Sequence, residues 1–312
     1  MEREALRILD RLIWGTVAAV TAAVLAAALI GNFRIAWSTF MAPALACAIL
    51  VMGGCFYSRW RSDPRLASGL LSTAQVIAFA AVGAPLSYLA ASANAPLCDH
   101  WLDALDRALG FDWTALLAWM NAAPEVYAVL RPIYLSLTLQ MATVVLCLAF
   151  SGRLLWLRVY TLAFVCVVLL SIAISAVLPA AGAWPHYGLT AADSRIVPAV
   201  STSWPVFYGL RDGSFRLLVA VGSEGIITFP SVHAALAIIV IAALWPMPAL
   251  RFVAIAINLL MLLATPIDGS HYFVDIAAGA ALAVASLVAV RAIAERACAH
   301  RVLMTAALAQ SP

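Results

Sequence analysis

Long apolar runs separated by short polar punctuation dominate this chain, and eight of them approach the roughly 20 residues that a helix needs to cross a bilayer. They fall near 13–31, 36–57, 66–90, 126–150, 156–180, 230–249, 252–267 and 272–291, the seventh being short and interrupted near Thr265-Pro266. The pattern predicts an all-α polytopic transmembrane helix bundle of about eight spans with two sizeable outer loops. The first loop, about 91–125, holds Asp99-His100-Trp101-Leu102-Asp103-Ala104-Leu105-Asp106 and then Phe111-Asp112-Trp113 through Trp119. Apolar residues at three- and four-residue intervals with acids between them predict short interfacial helices whose tryptophans anchor at the membrane surface. His100 reads as a solvated loop residue. The second loop, about 181–229, is broken by proline and glycine yet carries Arg195, Arg211, Asp212, Arg216 and Glu224. Long, irregular, charged loops of this kind serve as lids or collars over embedded sites.

Composition agrees with a membrane protein: of 312 residues, 65% are hydrophobic and 11% charged, far from the mixture of a soluble domain. The chain has no lysine, so orientation rests on arginine alone. Arg3, Arg7, Arg11, Arg59, Arg61, Arg65, Arg153, Arg158, Arg251, Arg291, Arg296 and Arg301 all fall on one side of an eight-span chain, which predicts cytoplasmic termini. Most acids fall on the other side. A net charge of +3 gives no footprint for nucleic acid. The six cysteines lack metal-ligand spacing and read as packing residues. The first span has no small-residue cleavage site and reads as a retained helix. Arginine without lysine in an alanine-rich chain suggests a bacterial inner membrane. The expected organisation is two N-terminal spans (1–65), a membrane core (66–295) and a cytoplasmic tail (296–312).

Chemistry concentrates where two of these helices begin. His271 and Asp275 are four residues apart, stacked on one helical face, so the carboxylate can accept one imidazole N–H and leave the other nitrogen free as a nucleophile. His233 follows Pro230 and Ser231 at another helix start, where unpaired N–H groups and the Ser231 hydroxyl suit an anion. The eight-span count puts both histidines at the same, outer membrane level. Together these groups suit attack on phosphorus by one histidine and protonation of the departing oxygen by the other. No metal or other cofactor is demanded. Arg211 and Arg216 are candidates for holding phosphate oxygens.

Phe-Pro-Ser-Val-His at 229–233 and His-Tyr-Phe-Val-Asp at 271–275 resemble the second and third signatures of the type 2 phosphatidic acid phosphatase superfamily of membrane lipid phosphatases and phosphotransferases. Gly-Ser-His-Tyr-Phe-Val-Asp and the upstream Leu-Arg-Asp-Gly look most like its inositol phosphorylceramide synthase branch. The resemblance covers about 70–291 and implies a six-helix catalytic core, with His271 forming a phosphohistidine, Asp275 orienting it and His233 acting as acid and base. It implies a phospholipid or sphingolipid-like substrate taken from the bilayer, with the site on the periplasmic face. Two signature features differ here: Arg131-Pro132 has no lysine upstream, and Ala264 and Thr265 replace a Ser-Arg pair. Phosphate binding would then pass to other groups, Arg211 first and Arg216 second. The expected activity is transfer of a phosphoryl-linked headgroup to an alcohol. Its alternatives are phosphatase activity with water as acceptor, a non-catalytic transporter, and a serine hydrolase built on Ser231.

Overall fold

Helix follows helix through almost the whole computed structural model, which describes residues 2–309. In chain order they are α1 (Glu2–Ile30), α2 (Trp37–Arg59), α3 (Pro64–Ser92), α4 (Asp99–Ala108), α5 (Trp113–Ala122), α6 (Pro124–Leu135), α7 (Leu137–Phe150), α8 (Leu154–Val177), α9 (Ala183–His186), α10 (Ser203–Asp212), α11 (Val232–Leu244), α12 (Pro248–Asp268) and α13 (Phe273–Ala309). Two short strands, β1 (Arg34–Ile35) and β2 (Leu217–Leu218), pair in parallel, with Arg34 opposite Leu217 and Ile35 opposite Leu218. Local chemistry marks the boundaries. Asp63 caps α3 through the Arg65 and Leu66 amides, Asp112 caps α5 through Ala115, and Pro124 and Pro248 open α6 and α12, where a missing N–H costs nothing.

The helical bundle is as expected, though by length and composition fewer than eight helices qualify as spans among the described residues. Among the described residues six helices are long and apolar enough to cross a membrane: α1, α2, α3, α8, α12 and α13. The expected span at 126–150 is divided at Ser136 into α6 and α7, bent by 48°, which counts as a seventh if the pair crosses once. The stretch at 230–249 forms only the 13-residue α11, about 20 Å long against about 30 Å of hydrocarbon. It stops at the Trp245-Pro246 turn before Pro248 and is wrapped by α7, α8, α12 and α13. The anticipated break at Thr265-Pro266 is absent, and α12 runs on to Asp268. At the far end α13 continues through residues expected to form a tail, of which 310–312 lie outside the described residues.

The interfacial loop helices are only partly membrane anchors. Trp101 and Trp119 are exposed, whereas Trp113 is buried and donates its indole N–H to the Pro266 carbonyl at 2.8 Å. On α4, Asp99 and Asp106 are buried too. Seven residues apart, they share one helical face, and that face turns toward the site.

Candidate active site

The first turn of α13 and the first turn of α11 meet with almost no space between them. Ser231 is the N-cap of α11, its hydroxyl accepting the Ala234 N–H at 3.3 Å, and its own N–H donates to the Asp275 carbonyl at 3.1 Å. One turn further along α13, Gly279 makes that approach possible. A Cβ there would lie 2.2 Å from the Ser231 carbonyl oxygen, well inside any real contact. The glycine spacing thus sets how closely the two helix starts sit.

The strap Gly269–Tyr272 between α12 and α13 carries His271 and is tied down from three directions. The Ser270 carbonyl accepts the Ala183 N–H at 2.8 Å and its hydroxyl accepts the Trp184 N–H at 2.8 Å. Asp99 accepts the Ala181 and Gly182 amides at 2.9 and 2.8 Å and the Tyr272 hydroxyl at 3.0 Å. Asp106 accepts the Phe273 and Val274 amides at 2.7 and 2.9 Å. A carboxylate from α4 therefore caps α13, in keeping with the positive end of the helix dipole. Burial raises the Asp106 carboxyl above its ordinary range, opposed by those two amides.

Within this frame the imidazole of His271 is held at both nitrogens. Nδ1 lies 3.2 Å from Asp275 Oδ2, and Nε2 lies 3.3 Å from the Ser231 hydroxyl. Asp275 Oδ2 also accepts the Tyr272 N–H at 2.9 Å, which aims it at the ring. A proton on Nδ1 facing the carboxylate leaves the Nε2 lone pair available and able to accept the Ser231 O–H. Burial pushes the His271 imidazole down to about 4, against a smaller upward pull from a bond to the Thr228 backbone. His233, one residue into α11, stacks on Tyr134 with ring centroids 4.3 Å apart and planes 11° from parallel. Its Nδ1 lies 3.5 Å from the Tyr134 hydroxyl.

Both histidines line one cavity of about 330 Å³. Its walls come from α3, α6, α8, α10, α11, the segment Ser223–Thr228 and the strap. Of the residues singled out in the sequence, the structure thus gathers His233, His271, Asp275 and Ser231. It does not bring Arg211 or Arg216 to the cavity wall. Arg211 Nη2 donates to the Ala95 carbonyl at 2.7 Å and its guanidinium sits over the Phe207 ring. Arg216 donates to the Leu210 carbonyl at 3.2 Å and lies over Phe33. These contacts engage one nitrogen of each guanidinium, and Arg211 Nη1 stays buried without a hydrogen-bond partner among the described residues. Arg131 is likewise engaged, donating to the Tyr127 hydroxyl at 2.6 Å and the Val197 carbonyl at 3.0 Å.

Asp99, Asp106, Ser270 and Tyr134 were not singled out in the sequence. For the two acids a signal was present, since Asp99, Leu102 and Asp106 form a helical stripe that mixes carboxylates with an apolar residue. An anchor helix would keep its acids on the wet face. For Tyr134 no local signal existed, because its partner lies 99 residues away.

A family model described as the PAP2 superfamily matches residues 100–289. No curated protein and no solved structure matches the chain.

Proposed function

The chain belongs to the PAP2 superfamily, and on that premise we propose that it is a membrane phosphotransferase that moves a phosphoryl-linked headgroup from a lipid to an alcohol through a phosphohistidine. Membership itself makes it a phosphatase-type enzyme acting on lipid phosphate. The finer reading rests on one observation above others: the Asp275–His271–Ser231 sequence of contacts opens into a cavity that His233 shares.

In the first half-reaction Nε2 of His271 attacks phosphorus, the N–P bond forms, and the P–O bond to the lipid alcohol breaks. His233 gives its proton to the departing oxygen. Asp275 stabilises the positive charge that develops on the ring. The N–H groups opening α11 and the Ser231 hydroxyl, released from Nε2, bind the phosphoryl oxygens. In the second half-reaction His233 takes a proton from the acceptor hydroxyl, whose oxygen attacks phosphorus and frees His271. Water in that role gives a phosphatase from the same intermediate. An alcohol is favoured because the site is buried, with His271 3% exposed and Ser231 and Asp275 wholly enclosed. The inositol phosphorylceramide synthase-like branch, cytoplasmic termini, and a site opening on the periplasmic face of a bacterial inner membrane belong to this reading. So does the division into an N-terminal pair of spans and a catalytic core.

The test is turnover of a panel of labelled phospholipids by purified protein, beside His271→Ala, scored for free phosphate and for lipid exchange products. A headgroup-transfer product that vanishes in the variant is the expected result. Free phosphate in its place would make the enzyme a phosphatase, and turnover undiminished in His271→Ala would remove the nucleophile.

A further inference from the structure

The walls of the histidine cavity carry a charge pattern that restricts what can enter. Among the described residues no arginine or lysine lines it. Apart from the histidines and Tyr134, the one ionisable group on its lining among the described residues is the half-buried Glu224, and the same largely apolar lining includes Trp204. Glu224 is held in place at two points. Its backbone N–H donates to the Tyr88 hydroxyl at 2.7 Å, and Oε2 accepts the Thr202 hydroxyl at 3.0 Å. Among the described residues no cationic side chain lies within ion-pair distance of it. Trp204 is itself steadied by stacking on Trp184, centroids 6.3 Å apart and planes 13° from parallel.

A phosphomonoester brings two negative charges. In a cavity with one uncompensated carboxylate and, among the described residues, no cationic side chain on its lining, that dianion meets repulsion where it needs countercharge. A phosphodiester brings one negative charge, which the amide groups at the start of α11 can match. The remaining carboxylate then calls for a positive group on the same ligand, and an indole on the same lining suits an ammonium. We infer that the cavity takes a zwitterionic amino-alcohol phosphodiester, its phosphate at the histidines and its ammonium group at Glu224 and Trp204. This rests on the proposed function for the phosphate end and adds the substrate class, with an amine in place of the inositol headgroup that the branch resemblance would imply. The cavity volume suits the headgroup, with the acyl chains left in the surrounding bilayer.

Rates would be compared for phosphatidylethanolamine, phosphatidylcholine, phosphatidylglycerol, phosphatidylinositol and phosphatidic acid of matched chains, using full-length protein and Glu224→Gln. The glutamine keeps the bond to Thr202 and removes only the charge. The expected result is a preference of tenfold or more in kcat/KM for the two amine-headed lipids, lost in Glu224→Gln mainly through a rise in KM. Trp204→Leu should weaken use of the quaternary ammonium lipid further. Best use of phosphatidic acid or phosphatidylinositol, or a preference that survives Glu224→Gln, would overturn the assignment. A binding arm separates this outcome from failure of the proposed function. Phosphatidylethanolamine should bind His271→Ala protein at least fivefold more tightly than the His271→Ala/Glu224→Gln protein, whether or not any lipid turns over. Equal binding would remove the subsite.

Discussion

At the scale of the residue, the arrangement at His271 separates orientation from nucleophilicity. Asp275 faces Nδ1 at 3.2 Å while the opposite nitrogen faces the Ser231 hydroxyl. Asp275→Asn preserves shape and can present its NH₂ to Nδ1, favouring the tautomer with its proton on Nε2. Initial-rate measurements should therefore show kcat lower by about 10²–10⁴-fold, with KM little changed. A large KM effect alone would mean that Asp275 serves binding. The depressed imidazole at His271 makes a second prediction. Its folded value near 4 lies below the usual 6.5, so the neutral form, which attacks in the proposed mechanism, persists through the range where an exposed histidine would protonate. A phosphodiester does not titrate there. The acid limb of the pH–kcat/KM profile should fall well below pH 6, and a limb at 6.5 would indicate an imidazole open to water.

At the scale of the element, the site depends on how nearly two helix starts approach each other. Gly279→Ala places a methyl group where the Ser231 carbonyl now sits, and α11 must shift because the obstacle is backbone. The expected cost is about 1–3 kcal/mol, read as a lower midpoint in thermal unfolding in detergent. It should come with a loss of turnover larger than the stability change explains, since Ser231 moves relative to Nε2. Gly279→Ala with wild-type kcat would show that the spacing has slack. The capping of α13 by Asp106 belongs to the same scale. An acidic stripe on an amphipathic helix reads locally as a solvated face, and only the presence of two unpaired amides across the fold turns it into a cap. Periodicity identifies which residues share a face, but not what that face meets.

At the scale of the whole molecule, the N-terminal helices are bound to the rest by polar contacts inside the bundle. Arg158 of α8, almost wholly buried, pairs through Nε with Asp10 of α1 at 2.6 Å. Its Nη1 donates to the Ser72 hydroxyl and, at 3.2 Å, to the Ser68 carbonyl. Gln75 donates to the same Asp10 oxygen at 2.8 Å. Removing one partner of a buried pair leaves the other uncompensated, so Asp10→Ala should destabilise by about 3 kcal/mol, the lower end of the range because Asp10 keeps partial access to solvent. Asp10→Leu combined with Arg158→Leu should recover most of that loss in the same unfolding measurement. An equal loss in the double variant would mean that the pair is not the source. A second tie, β1 to β2, joins the α1–α2 connection to the segment that leads into the cavity wall. Residues preceding the family match thus help to hold the site, and α3 supplies part of its lining.

The sequence by itself determined the class of structure and the nucleus of the site. Apolar length and arginine placement are properties of contiguous segments, and His271 with Asp275 is a pair one helical turn apart, so both can be read without knowing the fold. The same holds for Ser231 and His233 at the head of one helix. Only the tertiary structure decided that α11 is too short to span alone, because its length is set by a turn and its enclosure by four other helices. Only it showed that Arg211 and Arg216 bond to Ala95 and Leu210 and do not line the cavity, since a guanidinium on a long flexible stem takes whichever acceptor the fold supplies. The pairing of Tyr134 with His233 joins residues 99 positions apart, and the anchoring of Glu224 in the same wall by Tyr88 joins residues 136 apart. Their proximity is a product of packing, and no local pattern encodes it.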